Sequence, residues 1–272
     1  MAIPPRLYKY EPFTAQSLQN LKDQVIYFGS PFRFNDPYDC ALSPSIKEPT
    51  DTEIAKIRQH YLAKSELEDK VRSEFEMAST AKLRAMLLRI GQDVLNQQIS
   101  DFLSRRGVSC FSEKVDSLLM WSHYGDQCKG FCLEFATSAE PFQKIRKVHY
   151  RQDMPVFDVV PMLCDEKFDP VLDLYCTKAL DWAYEHEWRG IHDKAGTAYG
   201  YPSDALTGVY LGPDMPFTAI EIVALILAGQ NQHVQLWQGS RSKSSFSVEF
   251  HQVTYTSHLE AKRQGLLGDS GT

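Results

Sequence analysis

No stretch of this 272-residue chain comes near the roughly 20 consecutive apolar residues that a bilayer-spanning helix needs. Its longest apolar run, 222–228, has the length of a strand. The opening residues MAIPPRLYKY lack an apolar signal core, so the chain is expected in the cytosol with no membrane partner. Positive charge is not in excess either. With 29 Lys and Arg against 35 Asp and Glu the net charge is −6, which argues against non-specific nucleic-acid binding, since that rests on clustered cations at phosphates. A locally basic groove stays compatible with it. The six cysteines (Cys40, Cys110, Cys128, Cys132, Cys164, Cys176) form no C-x-x-C pair and have no matching His spacing, so no metal centre is expected. Also missing are a P-loop, a G-x-G-x-x-G turn and a G-x-S-x-G elbow, which removes the usual phosphate cradles and hydrolase nucleophile.

What is present suits one α+β domain over 1–265, with 43% hydrophobic residues to fill a core and a frayed tail from 266. Arg6 to Tyr10 reads as a strand, Thr14 as the cap of a short helix, and Val25 to Phe28 as a second strand, a β-α-β-like opening. Residues 51–105 hold no proline and one glycine, and their apolar residues recur at helical spacing, so two or three amphipathic helices form an insertion. Strands are expected at GVSCFS, GFCLEF and KIRKVHY, with a short helix or loop over Ser117 to Asp126. Lys167 to Tyr184 reads as a helix feeding into a strand HEWRGI. AIEIVALILAG and FSVEFHQVTYT read as strands flanking a helix around His233 to Trp237.

Three polar-aromatic segments stand out. FNDPYD (34–39) gathers Asn35, Asp36, Tyr38 and Asp39 in a turn that Pro37 shapes and that Asn35 or Asp36 can close through its own side chain. WSHYG (121–125) packs Trp121, His123 and Tyr124 just before a strand, a common place for binding residues. In YEHEWR (184–189), strand alternation predicts Glu185, Glu187 and Arg189 on one face, with Tyr184, His186 and Trp188 on the other. Taken alone, that segment is more simply an ion pair at a sheet surface.

Together RLYKY, SPFRFNDPYDC, LMWSHYGDQCKGFCLEF, ALDWAYEHEWRGI and IEIVALILAG resemble a bacterial family known as domain of unknown function 2971, over most of the chain outside 51–105. A more distant resemblance links the opening strand, the helix after it and the next strand to ADP-ribosyltransferases that act as toxins on DNA and RNA. That second resemblance implies a split mixed sheet of ADP-ribosyltransferase-like type. It implies NAD as substrate, Glu187 as catalytic carboxylate, Glu185 as the first Glu of an E-x-E pair that orients the acceptor, and Tyr124 as a stacking aromatic. Tyr8, Lys9, Asn35, Asp36, Trp121, His123 and Arg189 then become the candidates for holding NAD. Lys9 stands where such enzymes carry His or Arg, and the Ser-Thr-Ser segment of some members is missing. The implied partners are an unknown protein or nucleic-acid acceptor and, for a toxin or phage-defence role, an antitoxin. Two rivals remain open: a catalytically inactive module that senses a nucleotide or partner, and a metal-dependent nuclease built on Asp36, Asp39 and Glu187.

Overall fold

The computed structural model describes residues 2–165 and 169–266. In chain order the elements begin with β1 (Arg6–Glu11), α1 (Ala15–Asp23), β2 (Val25–Phe28), β3 (Ser45–Ile46), α2 (Asp51–Leu62), α3 (Asp69–Met77) and α4 (Thr80–Arg105). Then follow β4 (Gly107–Ser112), α5 (Leu118–Tyr124), β5 (Phe131–Ala136), β6 (Arg146–Lys147), β7 (His149–Arg151), β8 (Val156–Phe157), α6 (Val160–Asp165), α7 (Asp169–Leu174) and β9 (Thr177–Ala179). The last are β10 (Glu187–His192), β11 (Thr197–Gly200), β12 (Leu206–Leu211), α8 (Phe217–Gln230), β13 (Gln235–Arg241), β14 (Val248–Val253) and α9 (His258–Arg263). They divide between two compact units, one of Met1–Gly29, Gly107–Val148 and Asp181–Thr272, the other of Ser30–Arg106 and His149–Leu180.

The first unit is built on a mixed eight-stranded sheet ordered β14-β13-β12-β5-β1-β4-β10-β6. All neighbours are antiparallel except β12 and β13, which α8 joins as a crossover, the kind of connection a parallel pair requires. One face of the sheet is the main core. There Leu7, Phe111, Phe131, Leu133, Phe135, Trp188 and Val209 meet Leu21 of α1 and Ala219, Val223, Ala224 and Leu227 of α8. Full burial of side chains such as Val223 and Leu227 contributes about 1.5–3 kcal/mol each. The opposite face carries Tyr10, Cys132 and Tyr210, on which α5 lays Met120 and Trp121.

The second unit holds α2, α3 and α4 around Ile54, Ile57, Phe75, Leu83 and Leu87, with Val160 of α6. Three helices over 51–105 match the sequence pattern. α2 starts on a capping box, in which Thr50 Oγ1 accepts from the Glu53 amide and Glu53 accepts from the Thr50 amide. Two short parallel pairs, β3 with β8 and β7 with β9, complete the unit.

Several expectations need correction. AIEIVALILAG is not a strand but the body of α8. Pro216 precedes its first turn, and its 14 residues bury Ala219, Val223, Ala224 and Leu227 at helical spacing while Ile222 and Leu225 stay exposed. The segment around His233 to Trp237, expected as a helix, instead leads into β13, whose ladder runs in register with β12 and β14. Of Lys167 to Tyr184 only Asp169–Leu174 is described as α-helix; β9 and a 3-10 turn (Leu180–Glu185) take the rest, and residues 167–168 lie outside the described ones. β2 leaves the main sheet to pair with β11, so the opening is not one β-α-β layer. The sheet of the first unit runs through eight strands, and β1 and β4 join its two halves at one registered pair, Tyr8 with Ser112. The tail expected from 266 lies, beyond Leu266, outside the described residues. Among the described residues no helix is long and apolar enough to cross a membrane.

Candidate functional site

Strand register decides which polar residues can meet, because partners directly opposite in a ladder point to the same face. Tyr8 of β1 pairs with Ser112 of β4, and Ser112 pairs with Glu187 of β10. On its other side Tyr8 pairs with Glu134 of β5, and Glu134 with Gly208 of β12. A polar row of Glu134, Tyr8, Ser112 and Glu187 therefore crosses the sheet on the face opposite α1 and α8. Tyr8 and Glu187 stand two strand spacings apart, about 10 Å at the backbone.

Lys9 does not belong to that row. It alternates to the other face, where its ammonium lies 5.6 Å from the Phe111 ring centroid and 3.5 Å from Glu11 Oε1. Tyr8 and Lys9, expected as neighbouring candidates, face opposite sides of the sheet because neighbours in a strand alternate.

At the Glu187 end the site is tightly held. Arg189 donates through Nε to Glu187 Oε1 at 2.7 Å and through a terminal nitrogen to Oε2 at 2.8 Å, a fork that fixes both carboxylate oxygens. Both residues are buried. Glu185 does not continue their face as alternation predicted. It ends the 3-10 turn Leu180–Glu185, and His186 after it takes a left-handed backbone (φ 46°), so the strand begins only at Glu187. Glu185 has contacts on α5 and β4. Its Oε1 accepts from the Tyr124 hydroxyl at 2.5 Å, and its carbonyl from Ser112 Oγ at 2.6 Å. In the expected E-x-E pair, Tyr124 thus reaches Glu185 and Arg189 reaches Glu187. Next to them Glu113 Oε1 accepts from Trp188 Nε1 at 2.7 Å and Lys147 Nζ at 2.8 Å; burial pulls its carboxyl up, but these two donors leave it below the usual range.

Ser117 caps α5 by accepting from the Met120 amide. After Tyr124 the chain turns through three consecutive left-handed residues, Asp126, Gln127 and Cys128 (φ 51°, 53° and 70°). Such a run is unusual for residues with a Cβ and costs about 1–2 kcal/mol at each. Main-chain bonds hold it: Cys128 donates to the Trp121 carbonyl, Gly130 to Gly125, and Asp214 to Cys128. Gly130 and Gly212 are required by close approach, since a Cβ on either would collide with a backbone oxygen, Glu11's or Cys128's. Trp121 is fully buried under Tyr10 and donates Nε1 to the Val115 carbonyl at 2.7 Å, so it is core and not the stacking face expected for a ligand. His123 is exposed, with its ring 6.3 Å from Tyr124 and 6.2 Å from Tyr184, and these three rings supply the aromatic rim.

Asn35 and Asp36 belong to the second unit. Asp36 Oδ1 accepts from the Tyr38 amide at 2.9 Å, the self-closing turn the sequence predicted. Asp39 is committed to a buried ion pair with Lys178 at 3.2 Å. Among the described residues no three His, Cys, Asp or Glu side chains gather as a set able to hold a metal ion.

Residues 120–190 match the family model of DUF2971, proteins of unknown function. This supports the family resemblance read from the motifs, over the segment that carries Tyr124, Glu134, Glu185, Glu187 and Arg189. No curated protein and no solved structure matches the chain. The DUF2971 segment runs from α5 to β10, so both glutamates of the polar row lie inside it, whereas Tyr8 comes from β1.

The polar-aromatic motifs do not single out Glu134, though GFCLEF carries the signal: one carboxylate inside an otherwise apolar strand. It is buried, with Oε2 accepting from the Tyr210 hydroxyl at 2.8 Å and Oε1 from Thr207 Oγ1 at 2.7 Å, while Arg6 approaches Oε1 at 3.4 Å. Burial first, then the charge and hydrogen-bonding pull of Glu134, push the Tyr8 phenol up to about 12.

Proposed function

We propose that this chain is an NAD-consuming ADP-ribosyltransferase-like enzyme with Glu187 as its catalytic carboxylate. The observation that carries the reading is the shared face of Tyr8, Ser112 and Glu187 on adjacent strands, with both Glu187 oxygens fixed by Arg189. In the reaction the bond between the ribose C1′ and the nicotinamide nitrogen breaks, the electron pair leaves with neutral nicotinamide, and positive charge develops on the sugar. A carboxylate already aimed by a guanidinium can accept from a ribose hydroxyl and stabilise that charge without reorganising. The acceptor's nucleophile then bonds to C1′ and gives up its proton. Tyr124, His123 and Tyr184 offer ring faces at the rim, and Tyr8 a phenol beside the ribose. Arg189 acts here by orienting Glu187 and not as an NAD ligand of its own. Asn35 and Asp36 keep their cofactor-binding role by the resemblance alone. The acceptor is a protein or a nucleic acid, and a toxin or phage-defence setting with an antitoxin partner follows from the same resemblance.

One observation favours a second reading. The Glu187 charge is already matched by a buried guanidinium, which suits a module that recognises a nucleotide without turning it over. Nicotinamide release from NAD by purified protein, with cell lysate as a pool of acceptors, separates the two. Release by wild type that is lost in Glu187→Gln supports the transferase. No release, together with an NAD-induced rise in melting temperature that survives Glu187→Gln, supports the sensor. No release and no rise removes NAD from both.

A further inference from the structure

We infer that Glu134 is a positioning residue, which sets the direction of the Tyr8 hydroxyl toward whatever binds over the polar row. The inference rests on the proposed nucleotide site for the identity of the ligand, but not for the link between Glu134 and Tyr8.

Three features of the sheet converge on this carboxylate. Register sets Glu134 directly opposite Tyr8. A register shift between Leu206 and Gly208 interrupts the ladder of β12 with β5 at Thr207, and the Thr207 hydroxyl reaches Glu134 Oε1; a bulge is the device that re-aims a side chain in this way. Gly208, opposite Glu134, has no side chain, and a Cβ there would stand 3.3 Å from the Tyr210 ring. That leaves room for the ring whose hydroxyl reaches Glu134 Oε2. The Tyr8 ring meets Tyr210 edge-on, with centroids 5.8 Å apart, and so sits in the same cluster.

A carboxylate can only accept. Facing Glu134, the single phenolic proton of Tyr8 is drawn toward it, and the lone pairs of the Tyr8 oxygen are left as acceptors. The ligand group that suits this arrangement is a donor, a sugar hydroxyl or an amino group. The arrangement also answers why a sheet would bury a carboxylate at all, since an apolar residue of similar volume generally costs less there.

The test labels tyrosine at Cζ with 13C and assigns Tyr8 through Tyr8→Phe. Glu134→Gln offers an amide that can donate to the phenol, so the Tyr8 resonance should move at pH 8 and its titration midpoint should fall below about 12, while burial still holds it above 10. NAD affinity is measured in wild type, Tyr8→Phe, Glu134→Gln and the double variant. Each single change should weaken binding about fivefold to tenfold, the size of one hydrogen bond, and Glu134→Gln should add nothing in the Tyr8→Phe background. An unmoved Tyr8 resonance in folded Glu134→Gln overturns the inference, as do additive losses of affinity. If Glu134→Gln does not fold, Glu134→Asp withdraws the carboxylate by one methylene and is read by the same criteria. If wild type does not bind NAD, the nucleotide reading falls, and the Tyr8 resonance alone decides whether Glu134 positions it.

Discussion

The fork between Glu187 and Arg189 makes a prediction about stability that must be known before any activity test of Glu187 is interpreted. The Arg189 side chain is 0% exposed and that of Glu187 5%, and their two hydrogen bonds measure 2.7 and 2.8 Å. Removing one member of a buried pair takes a charged partner from the other, which costs about 3–5 kcal/mol, whereas replacing both by apolar residues of similar volume is less costly. Glu187→Ala should therefore lower the urea midpoint by about 2 M, taking a slope of about 2 kcal/mol per M. Arg189→Met should cost about as much. Glu187→Met combined with Arg189→Met should cost less than the sum of the two single changes, because the two charges interact with each other. Tryptophan fluorescence reads the transition, because Trp188 lies between the two residues and is itself buried. A Glu187→Ala midpoint shifted by less than about 0.5 M would refute the reasoning, since only a solvated pair is worth so little. Glu187→Gln keeps an acceptor for Arg189 and should fall at the low end of the range, so nicotinamide release is best compared well below its melting temperature.

Three further outcomes follow from the geometry. Gln127 is exposed at φ 53°, so Gln127→Gly should be neutral or stabilising by up to about 1 kcal/mol, and Gln127→Val should destabilise by more than that; equal effects in thermal melts would contradict the left-handed turn. Gly212→Ala should prevent normal folding, because the new Cβ would collide with the Cys128 carbonyl oxygen; a wild-type melting temperature would show that the turn can give way. The Tyr8 phenol is raised from 10.0 to about 12, so the folded state favours its neutral form. Its contribution is complete below pH 10 and is lost as pH rises toward 12, and Tyr8→Phe should make the alkaline fall of the urea midpoint shallower; an identical slope in both proteins would contradict it.

Elements whose apolar period is unambiguous were legible from the sequence, and the failures share one physical cause. β1, β4, β5 and β10 alternate or run apolar over strand length between breakers, and α2 and α4 repeat at helical spacing with Thr50 and Ser79 as caps. In α8 every position but Thr218, Glu221, Gly229 and Gln230 is apolar, so periodicity carries no information and composition suggested a strand. β13 reads QLWQGSR, with too few apolar residues to announce itself, and it exists because β12 and β14 supply partners on both sides. Pairing across the chain, unlike helix periodicity, leaves no local mark.

The site shows the same limit from another side. The sequence named Glu187, Arg189 and Tyr124, and the structure ties Glu187 to Arg189 and Tyr124 to Glu185. It could not show that Tyr8 faces Glu187 while Lys9 turns away, because that depends on which residue of β4 lies between them. Nor could it show that Glu185 is not an equal neighbour of Glu187, since one left-handed residue at His186 ends the alternation on which that reading stood. A one-residue slip of β1 against β4 would exchange Tyr8 for Lys9 beside Ser112 and replace a neutral phenol by a cation in the row. The register of β1 is fixed by six consecutive pairs with β5, from Arg6 opposite Ala136 to Glu11 opposite Phe131, and by Leu7, which is fully buried in the main core. The apolar face that stabilises the sheet is therefore also what decides which polar residues form the site.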